Sequence, residues 1–248
     1  MKPVIYTDLD DTLFTTLKSY RDVDQSSLLR VTTAKNGNHS FMCGHRQSIL
    51  NWIEAGATLI PVTARSLDAY NRVTLSAVRF VDGAVLNNGA LILNPDGSED
   101  MSWSETVQGY CAHATPVLLR LIEALEEAPC DIRIHRHMHG DVMLGMTVKS
   151  NDESEKGVLL NLGLAEALVQ QRNPRGRVVT HRNGNNLAFV PSGVSKKSAV
   201  AYLMENRSDL AGRPSIGAGD SLADLPFMSL CDMLLVPART QTATKLLA

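Results

Sequence analysis

The stretch Asp8-Leu9-Asp10-Asp11-Thr12-Leu13-Phe14 (DLDDTLF) directly follows a short apolar segment, residues 4–6. Three carboxylates thus lie within four positions at the end of a predicted buried strand. Because like charges repel, and because burying an unpaired charge costs free energy, these carboxylates need cationic partners from elsewhere in the chain. Polar residues at the carboxyl end of a strand are typical of ligand sites in open parallel α/β sheets.

The composition indicates an ordinary globular protein. The chain has 248 residues, of which 44% are hydrophobic and 20% charged, enough for one large domain or a domain with an insert. The net charge of −2 and the lack of a long basic run give no support for nucleic-acid binding. We also expect no membrane partner and a cytoplasmic location, because no segment resembles a signal peptide or a membrane span. The scattered cysteines favour reduced thiols over disulfides or a zinc site: Cys43, Cys111, Cys130 and Cys231.

Both ends of the chain alternate between apolar strands and helical patterns. This order predicts parallel strands joined by right-handed crossovers, as in a Rossmann-like α/β sheet. Residues 76–86 are expected to hold one or two further short strands. The main predicted strands are 4–7, 58–62, 215–218 and 233–236, and the predicted helices are 47–55, 66–75, 197–205 and 222–228.

The middle of the chain has a different pattern, typical of an antiparallel sheet with helices on one face. We therefore predict a core of residues 1–86 and 191–248, with an inserted α+β domain at 87–190. A separate hairpin is predicted near Asn36-Gly37, between 28–34 and 39–43, as a gate, a dimer contact or an exposed decoration. In the insert the predicted helices are 116–128 and 155–171, and the predicted strands are 131–138, 142–149, 177–181 and 186–191.

Three further segments place polar or charged residues at predicted strand ends or helix starts. Residues 59–65 (LIPVTAR) deliver the Thr63 hydroxyl at a strand end, where a helix N-cap is its ordinary explanation. Residues 193–199 (GVSKKSA) place Lys196 at a helix start, although the helix dipole slightly disfavours a cation there. Residues 216–224 (IGAGDSLAD) form a strand, a glycine turn and then Asp220 and Asp224, and are the most specific of the three.

Together and in this order, the four segments resemble the haloacid dehalogenase superfamily. The position of the insert, with Asn88-Gly89-Ala90 at its entry and residues 193–196 (GVSK) at its exit, is similar to the Cof-like branch. That branch includes sugar-phosphate phosphatases and carries a type IIB cap. Three residues depart from the common pattern without removing a group that the chemistry needs: Asp11 and Ala64, which each replace a frequent glycine, and Ala223, which replaces a frequent asparagine.

The resemblance implies a Mg²⁺-dependent phosphatase that hydrolyses a small phosphorylated metabolite, such as a sugar or polyol phosphate. Asp8 would be the nucleophile that forms an aspartyl-phosphate, and Asp10 the general acid and base. Thr63 and Lys196 would contact the phosphoryl group, and Thr12 would support the loop and the bound substrate. The implied metal ligands are Asp8, the Asp10 carbonyl and Asp220, with Asp224 in or near the metal shell.

Substrate selection is expected to fall to residues of the insert. In 131–139, alternate residues would lie on opposite faces of a strand. One face is mainly apolar and should pack on helices, with Ile132, Ile134, Arg136 and Met138, and the other is polar and should face either solvent or the active-site cleft. We expect Arg133 and His135 or His137 to contact the organic part of the substrate. Arg65 and Asn88 would do so from the core. A metal site at the alternating histidines is a weaker hypothesis, because regular strand spacing rarely makes ligands converge.

Two other functions remain open from the sequence. A phosphomannomutase-like enzyme would share this fold and cap position but return the phosphate to the sugar. A noncatalytic phosphate-binding or phosphoaspartyl receiver-type module would also pair acids with a lysine, but it needs no general acid such as Asp10 and no large insert. The sequence makes no prediction of oligomeric state.

Overall fold

The computed structural model describes residues 1–20, 23–35, 37–76, 82–173 and 175–247. The helices are α1 (Gly44–Gly56), α2 (Leu67–Tyr70), α3 (Met101–Glu126), α4 (Glu155–Arg172), α5 (Lys196–Asn206), α6 (Leu225–Met228) and α7 (Gln241–Leu247). The strands are β1 (Val4–Thr7), β2 (Thr15–Thr16), β3 (Leu29–Arg30), β4 (Ser40–Met42), β5 (Thr58–Pro61), β6 (Ala84–Leu86), β7 (Leu91–Leu93), β8 (Ile132–His139), β9 (Val142–Ser150), β10 (Val178–Asn183), β11 (Asn186–Pro191), β12 (Ser215–Ala218) and β13 (Met233–Leu235).

The chain divides into two compact units. The first comprises residues 1–104 and 195–248, and the second comprises residues 105–194. The division therefore differs from the predicted boundaries at 86/87 and 190/191. At the first boundary the reason is that β7, paired with β6 in a hairpin, contributes Leu91 and Leu93 to the apolar core of the first unit. Among the described residues, no helix has the length and apolar character that crossing a bilayer requires.

A four-stranded parallel sheet forms the centre of the first unit, in the order β13-β12-β1-β5. All four residues of β1 are buried, as expected for a strand covered on both faces. The predicted parallel α/β sheet is thereby confirmed. Its central strand, β1, leads directly into the acidic stretch that follows Thr7.

Helix α2 is much shorter than the predicted helix 66–75. Ser66 caps its start, since the side chain accepts a hydrogen bond from the Ala69 N–H. The chain then leaves the helix because Thr74 donates its backbone N–H to the Val31 carbonyl at 2.9 Å, and Val73 pairs with Thr32 in an isolated bridge. A tertiary contact with a distant segment thus overrides the local helical pattern.

The predicted extra hairpin is present as antiparallel pairing of β3 with β4. Leu29 lies opposite Met42, and β2 pairs with the other edge of β4 to complete a three-stranded sheet. The ladders are shorter than the predicted segments 28–34 and 39–43. Asn36 of the predicted turn lies outside the described residues, as do residues 77–81 of the strands predicted in 76–86.

The second unit contains an antiparallel sheet in the order β10-β11-β9-β8. Both long helices pack on one face of it, where α3 supplies Leu118 and Leu121, α4 supplies Leu162, and the sheet supplies Met146 and Phe189 to a single apolar cluster. This confirms the predicted α+β arrangement of an antiparallel sheet with helices on one face.

Helix α3 begins 15 residues before the predicted start at Pro116, at Met101. The prediction rested on the apolar stripe that follows Pro116, and proline is generally favoured in the first turn of a helix. Pro116 instead lies inside the helix. Buried side chains at helical spacing mark the earlier half, and the sequence interpretation did not use them: Trp103, Val107, Cys111 and Ala114.

Candidate active site

The site is built where the parallel strands of the first unit end. The Asp8 N–H donates to the Ala218 carbonyl at 2.8 Å, and the Val62 N–H donates to the Thr7 carbonyl at 2.7 Å. These bonds hold the ends of β12, β1 and β5 side by side. The acidic stretch, the segment with Thr63 and the segment with Asp220 therefore meet at one edge of the sheet, as ligand sites do in this fold class.

Lys196 lies between two buried carboxylates. Its Nζ donates to Asp8 Oδ1 at 2.6 Å and to Asp224 Oδ1 at 2.6 Å. The three side chains are 10%, 8% and 1% exposed, respectively. Lys196 is the first residue of α5, whose N-cap Ser195 forms a capping box with Ser198. The cap thus starts α5 at Lys196, and this start places the lysine side chain within hydrogen-bond distance of Asp8.

Asp224 is engaged on both of its oxygens. While Oδ1 accepts from Lys196, Oδ2 accepts from the Ser221 N–H at 3.0 Å and from the Ser221 Oγ at 2.7 Å. These bonds fix the carboxylate in one orientation. Because both oxygens already accept hydrogen bonds, Asp224 is better placed to orient Lys196 than to coordinate a metal ion. Ser221 was not among the predicted site residues, although its position three residues before Asp224 is a common spacing for such a bond.

Burial dominates the electrostatics of this cluster. It raises the pKa of Asp8 to about 7, with Lys196 opposing the shift and Asp224 adding to it. Burial by itself would lower the pKa of Lys196, but the charges of Asp8 and Asp224 outweigh it, so the pKa is raised. Burial also raises the pKa of Asp220 to about 6, reinforced by Asp224 and Asp11. Burial thus disfavours the ionised forms of Asp8 and Asp220, and the charge of Lys196 only partly opposes this effect.

The chemistry of this cluster fits a divalent metal ion. Carboxylate oxygens of Asp8, Asp220 and Asp224 lie within 4.8 Å of one another. Three carboxylates face the single ammonium of Lys196, which leaves an excess of two negative charges that Mg²⁺ would balance. Thr12 Oγ1 donates to Asp220 Oδ1 at 3.3 Å, so the acidic stretch also orients this third carboxylate.

The carboxylate of Asp10 does not bind Lys196 but pairs with Arg65. The Arg65 Nε donates to Asp10 Oδ2 at 2.7 Å, and Nη2 donates to Oδ1 at 2.6 Å, in a bidentate pair. The sequence interpretation placed both residues in the site but did not predict that they bind each other. Arg65 N–H also donates to Thr63 Oγ1 at 3.1 Å, which joins the second segment to the first.

Asp11 has a structural explanation. Its φ is +59°, a left-handed conformation that Asp and Asn adopt more readily than most residues. Its carboxylate accepts a hydrogen bond from Thr15 Oγ1, and its backbone N–H donates to the Phe14 carbonyl at 2.7 Å. These contacts agree with a role of Asp11 in the turn. Glycine could adopt the same backbone conformation at this position.

The turn that contains Asn88 approaches the start of α5 very closely. Asn88 itself has a φ of +56°, and its N–H donates to the Thr63 carbonyl at 3.0 Å. The next residue, Gly89, has a φ of +99°, and a Cβ there would lie only 2.1 Å from the Ser195 carbonyl oxygen. The sequence analysis named Gly89 at the entry to the insert but did not predict that the turn packs against Ser195, the residue before Lys196.

Replacing Gly89 with alanine is expected to lower the free energy of unfolding by about 2 to 4 kcal/mol, because it combines a positive φ with a backbone clash. Urea unfolding of the chain measures this loss. Gly56→Ala is the matched control, since that glycine lies at the end of α1 with open space around it and no positive φ. Equal stability of the Gly89 variant and the unaltered chain would contradict the close approach.

The predicted substrate residues of the second unit lie on β8 and are held by neighbours within that unit. Arg133 donates from Nη1 to the Ser150 carbonyl at 2.9 Å and from Nη2 to Glu153 Oε1 at 3.1 Å. His137 Nε2 lies 2.7 Å from Thr147 Oγ1. Both His135 and His137 are exposed, and His135 lies opposite Thr147 in the strand register. Partial desolvation of the His137 ring, followed by the charge of His135, nevertheless lowers the pKa of His137.

The alternation predicted for this strand does not hold to its end. Ile132 and Ile134 pack against the apolar cluster as predicted, but Met138 is 52% exposed. The register of β8 against β9 shifts between His137 and Met138, and such a bulge disrupts the regular alternation of side chains. The prediction that Met138 packs on the helices is therefore wrong.

Comparison with known proteins shows a shared fold. No protein-family model matches the chain, and no curated protein matches it by sequence. Among solved structures, the sucrose-phosphatase from Synechocystis, in complex with sucrose and phosphate, superposes with a TM-score of 0.61 at 14% identity, covering 99% of this chain and 96% of that one.

Two further structures have the same fold. A haloacid dehalogenase-like hydrolase from Bacteroides thetaiotaomicron has a TM-score of 0.53 at 14% identity, covering 95% of this chain and 94% of that chain. A trehalose-6-phosphate phosphatase related protein has a TM-score of 0.52 at 16% identity, covering 96% and 88%. At such identities the similarity is one of fold, and it confirms the predicted fold class, a parallel α/β core with an inserted antiparallel sheet.

Proposed function

We propose that this protein is a Mg²⁺-dependent phosphatase that hydrolyses a small phosphorylated sugar or polyol through an aspartyl-phosphate intermediate. The observation that carries the proposal is the buried cluster in which Lys196 joins Asp8 to Asp224 beside Asp220. The shared fold adds support, since the Synechocystis structure is a phosphatase in complex with sucrose and phosphate.

Asp8 is the proposed nucleophile. Because Lys196 contacts Oδ1, we assign the attack on phosphorus to Oδ2. A bond forms from this oxygen to phosphorus while the bond from phosphorus to the substrate oxygen breaks. Water then attacks the aspartyl-phosphate, which releases inorganic phosphate and restores the carboxylate. A carboxylate nucleophile suits this position, since its backbone is anchored to β12 and its side chain is held by a buried cation.

Asp10 is the proposed general acid and base. It would give a proton to the leaving oxygen in the first half of the reaction and take one from the attacking water in the second. Lys196 and the Thr63 hydroxyl would contact the phosphoryl oxygens as their charge develops. Thr63 is almost fully buried, and its Oγ1 already accepts from the Arg65 N–H, so its hydroxyl proton can be directed to the phosphate.

A bound Mg²⁺ would reduce the repulsion between the carboxylate nucleophile and the phosphate dianion. Asp8, the Asp10 carbonyl and Asp220 are the residues that we expect to hold it. Asp224 would act from the edge of this set, because both of its oxygens are already used by Lys196 and Ser221. The chain itself would supply oxygen ligands held in place. The cluster of Asp8, Asp220, Asp224 and Lys196 carries an excess of two negative charges for the ion to balance.

A panel of phosphate esters, tested with Mg²⁺ and with EDTA, examines this proposal directly. We expect Mg²⁺-dependent release of inorganic phosphate, strongest with sugar or polyol phosphates. A phosphomutase would instead return the phosphate to the sugar and release little from a simple ester. A noncatalytic binding or receiver-type module would release none, and the proposal would then fail.

Selection of the organic part is assigned to Arg133, His135 and His137 of the second unit, with Asn88 of the first. His135→Ala and His137→Ala are expected to change the relative kcat/KM values across the ester panel by several-fold, because each removes a polar ring from an otherwise polar strand face. His113→Ala is the control, since that histidine bonds the Gly109 carbonyl within α3. An unchanged order of preference in both variants would contradict the assignment.

A further inference from the structure

The Arg65 guanidinium is aimed at the carboxylate of Asp10. The two hydrogen bonds, at 2.7 and 2.6 Å, run in the parallel geometry that makes arginine–carboxylate pairs strong and directional. From the sequence, Arg65 was expected to contact the organic part of the substrate. Its contacts in the structure favour a different role.

Few donors of Arg65 remain for a substrate. A guanidinium carries five N–H groups, one on Nε and two on each Nη. One Nε and one Nη2 donor go to Asp10, Nη2 also reaches Ser40 Oγ at 3.5 Å, and Nη1 donates to the Ala69 carbonyl at 3.3 Å. The side chain is only 16% exposed, whereas that of Asp10 is 48% exposed. The open member of the pair is therefore Asp10.

The surroundings of Arg65 make it a rigid support. Its guanidinium carbon lies 5.2 Å from the ring centroid of Phe14, which is completely buried. Ser40, also buried, belongs to β4, and its N–H donates to Thr32 Oγ1 at 3.0 Å. The extra sheet of β2, β3 and β4 thus supplies one wall of the Arg65 pocket.

We propose that Arg65 is a positioning residue that fixes the Asp10 carboxyl for proton transfer to the leaving oxygen, an inference that rests on the proposed phosphatase function. Each carboxyl oxygen has two lone-pair directions, and Arg65 occupies one direction on each oxygen. The other directions stay open on the exposed side of Asp10. As the bond from Asp8 to phosphorus forms and the bond from phosphorus to the substrate oxygen breaks, the proton of the Asp10 carboxyl moves to that oxygen. A neutral alcohol departs, and Arg65 pairs with the Asp10 carboxylate that remains.

This role predicts a dependence on the leaving group. An alkyl phosphate such as glycerol phosphate must receive a proton as it departs, whereas 4-nitrophenyl phosphate releases a stable anion without one. In Arg65→Met, kcat/KM for the alkyl phosphate is expected to fall by about 10²-fold, within the range that general acid catalysis supplies. For 4-nitrophenyl phosphate the fall should be at most a few-fold, and Arg65→Lys should lie between Arg65→Met and the unaltered chain for both esters.

Two further variants separate positioning from a merely structural effect. Asp10→Asn should show the same bias against the alkyl phosphate, and the double variant should be no worse than Asp10→Asn, because the two residues act as one unit. Arg72→Met is the matched control: this nearby arginine bonds Asp68 at the surface, and the ratio between the two esters should not change.

The outcomes distinguish this inference from the proposed function. Equal losses for both esters in Arg65→Met, or losses that multiply with those of Asp10→Asn, would overturn the positioning role while leaving the phosphatase intact. A rise in KM for sugar phosphates alone, with kcat unchanged, would likewise overturn it and return Arg65 to substrate binding. If the unaltered chain releases phosphate from no ester, the proposed function fails and the inference fails with it.

Discussion

Asp8→Asn is expected to reduce phosphate release by about 10⁴-fold or more, a loss typical of removing an essential nucleophile. An amide oxygen can still accept the hydrogen bond from Lys196, but it is too weak a nucleophile to form the phosphoryl bond. Initial rates with the best ester of the panel, measured at saturating Mg²⁺, provide the test. Near-normal turnover in this variant would end the aspartyl-phosphate mechanism.

The same variant should fold as well as the unaltered chain, or better. Burial raises the pKa of Asp8 to about 7, so the folded state holds its carboxylate at a cost that a neutral amide does not incur. Thermal melting in EDTA measures this effect. Asp11→Asn is the matched control: it makes the same chemical change three positions away, at a backbone conformation that Asn adopts readily, and it should leave turnover unchanged.

Lys196→Met is expected to affect both folding and activity. It leaves Asp8 and Asp224 buried without their shared cation, and removing one partner of a buried ion pair typically costs about 3 to 5 kcal/mol. Turnover should fall by about 10³-fold, since the lysine in its proposed role would also stabilise charge on the phosphoryl group. Chemical unfolding measures the first effect, and initial rates with Mg²⁺ measure the second.

The loss of stability should depend on the metal. If Mg²⁺ binds Asp8 and Asp220, it supplies cationic charge to the same cluster, so saturating Mg²⁺ should restore part of the stability of Lys196→Met. Lys197→Met, at the next position of α5, is the control and should unfold like the unaltered chain. A Lys196 variant as stable as that control, with and without Mg²⁺, would show that the buried pairs contribute nothing to folding.

Local patterns in the sequence predicted where the residues of the candidate site lie along the strands and helices, whereas their proposed roles came from the resemblance. Asp8, Thr63 and Asp220 each come at the end of an apolar strand, and parallel strands of an α/β sheet bring such ends to one edge. Lys196 was predicted to open a helix, and the serines at 195 and 198 form the cap that starts it there. Strand, turn and cap preferences act over a few residues, so the sequence shows them directly.

The errors arose where distant segments compete with local preferences. Helix α2 ends early because Thr74 bonds to the segment at Val31, and β8 loses its alternation at a bulge against β9. Pro116 was taken as a helix start, although the packing of residues before it continues α3 through that position. In each case a contact between segments, absent from any local window, sets the outcome.

The sequence by itself determined the parallel α/β core, the inserted antiparallel sheet and the identity of the acidic and basic residues at the strand ends. The tertiary structure alone decided how those charges pair. Lys196 joins Asp8, 188 positions away, to Asp224, while Arg65 takes Asp10 across 55 positions. Residue type and spacing along the chain identify groups that carry charge. Which carboxylate each cation contacts depends on the distances between side chains and on their burial. Only the packing of the strands and helices sets these.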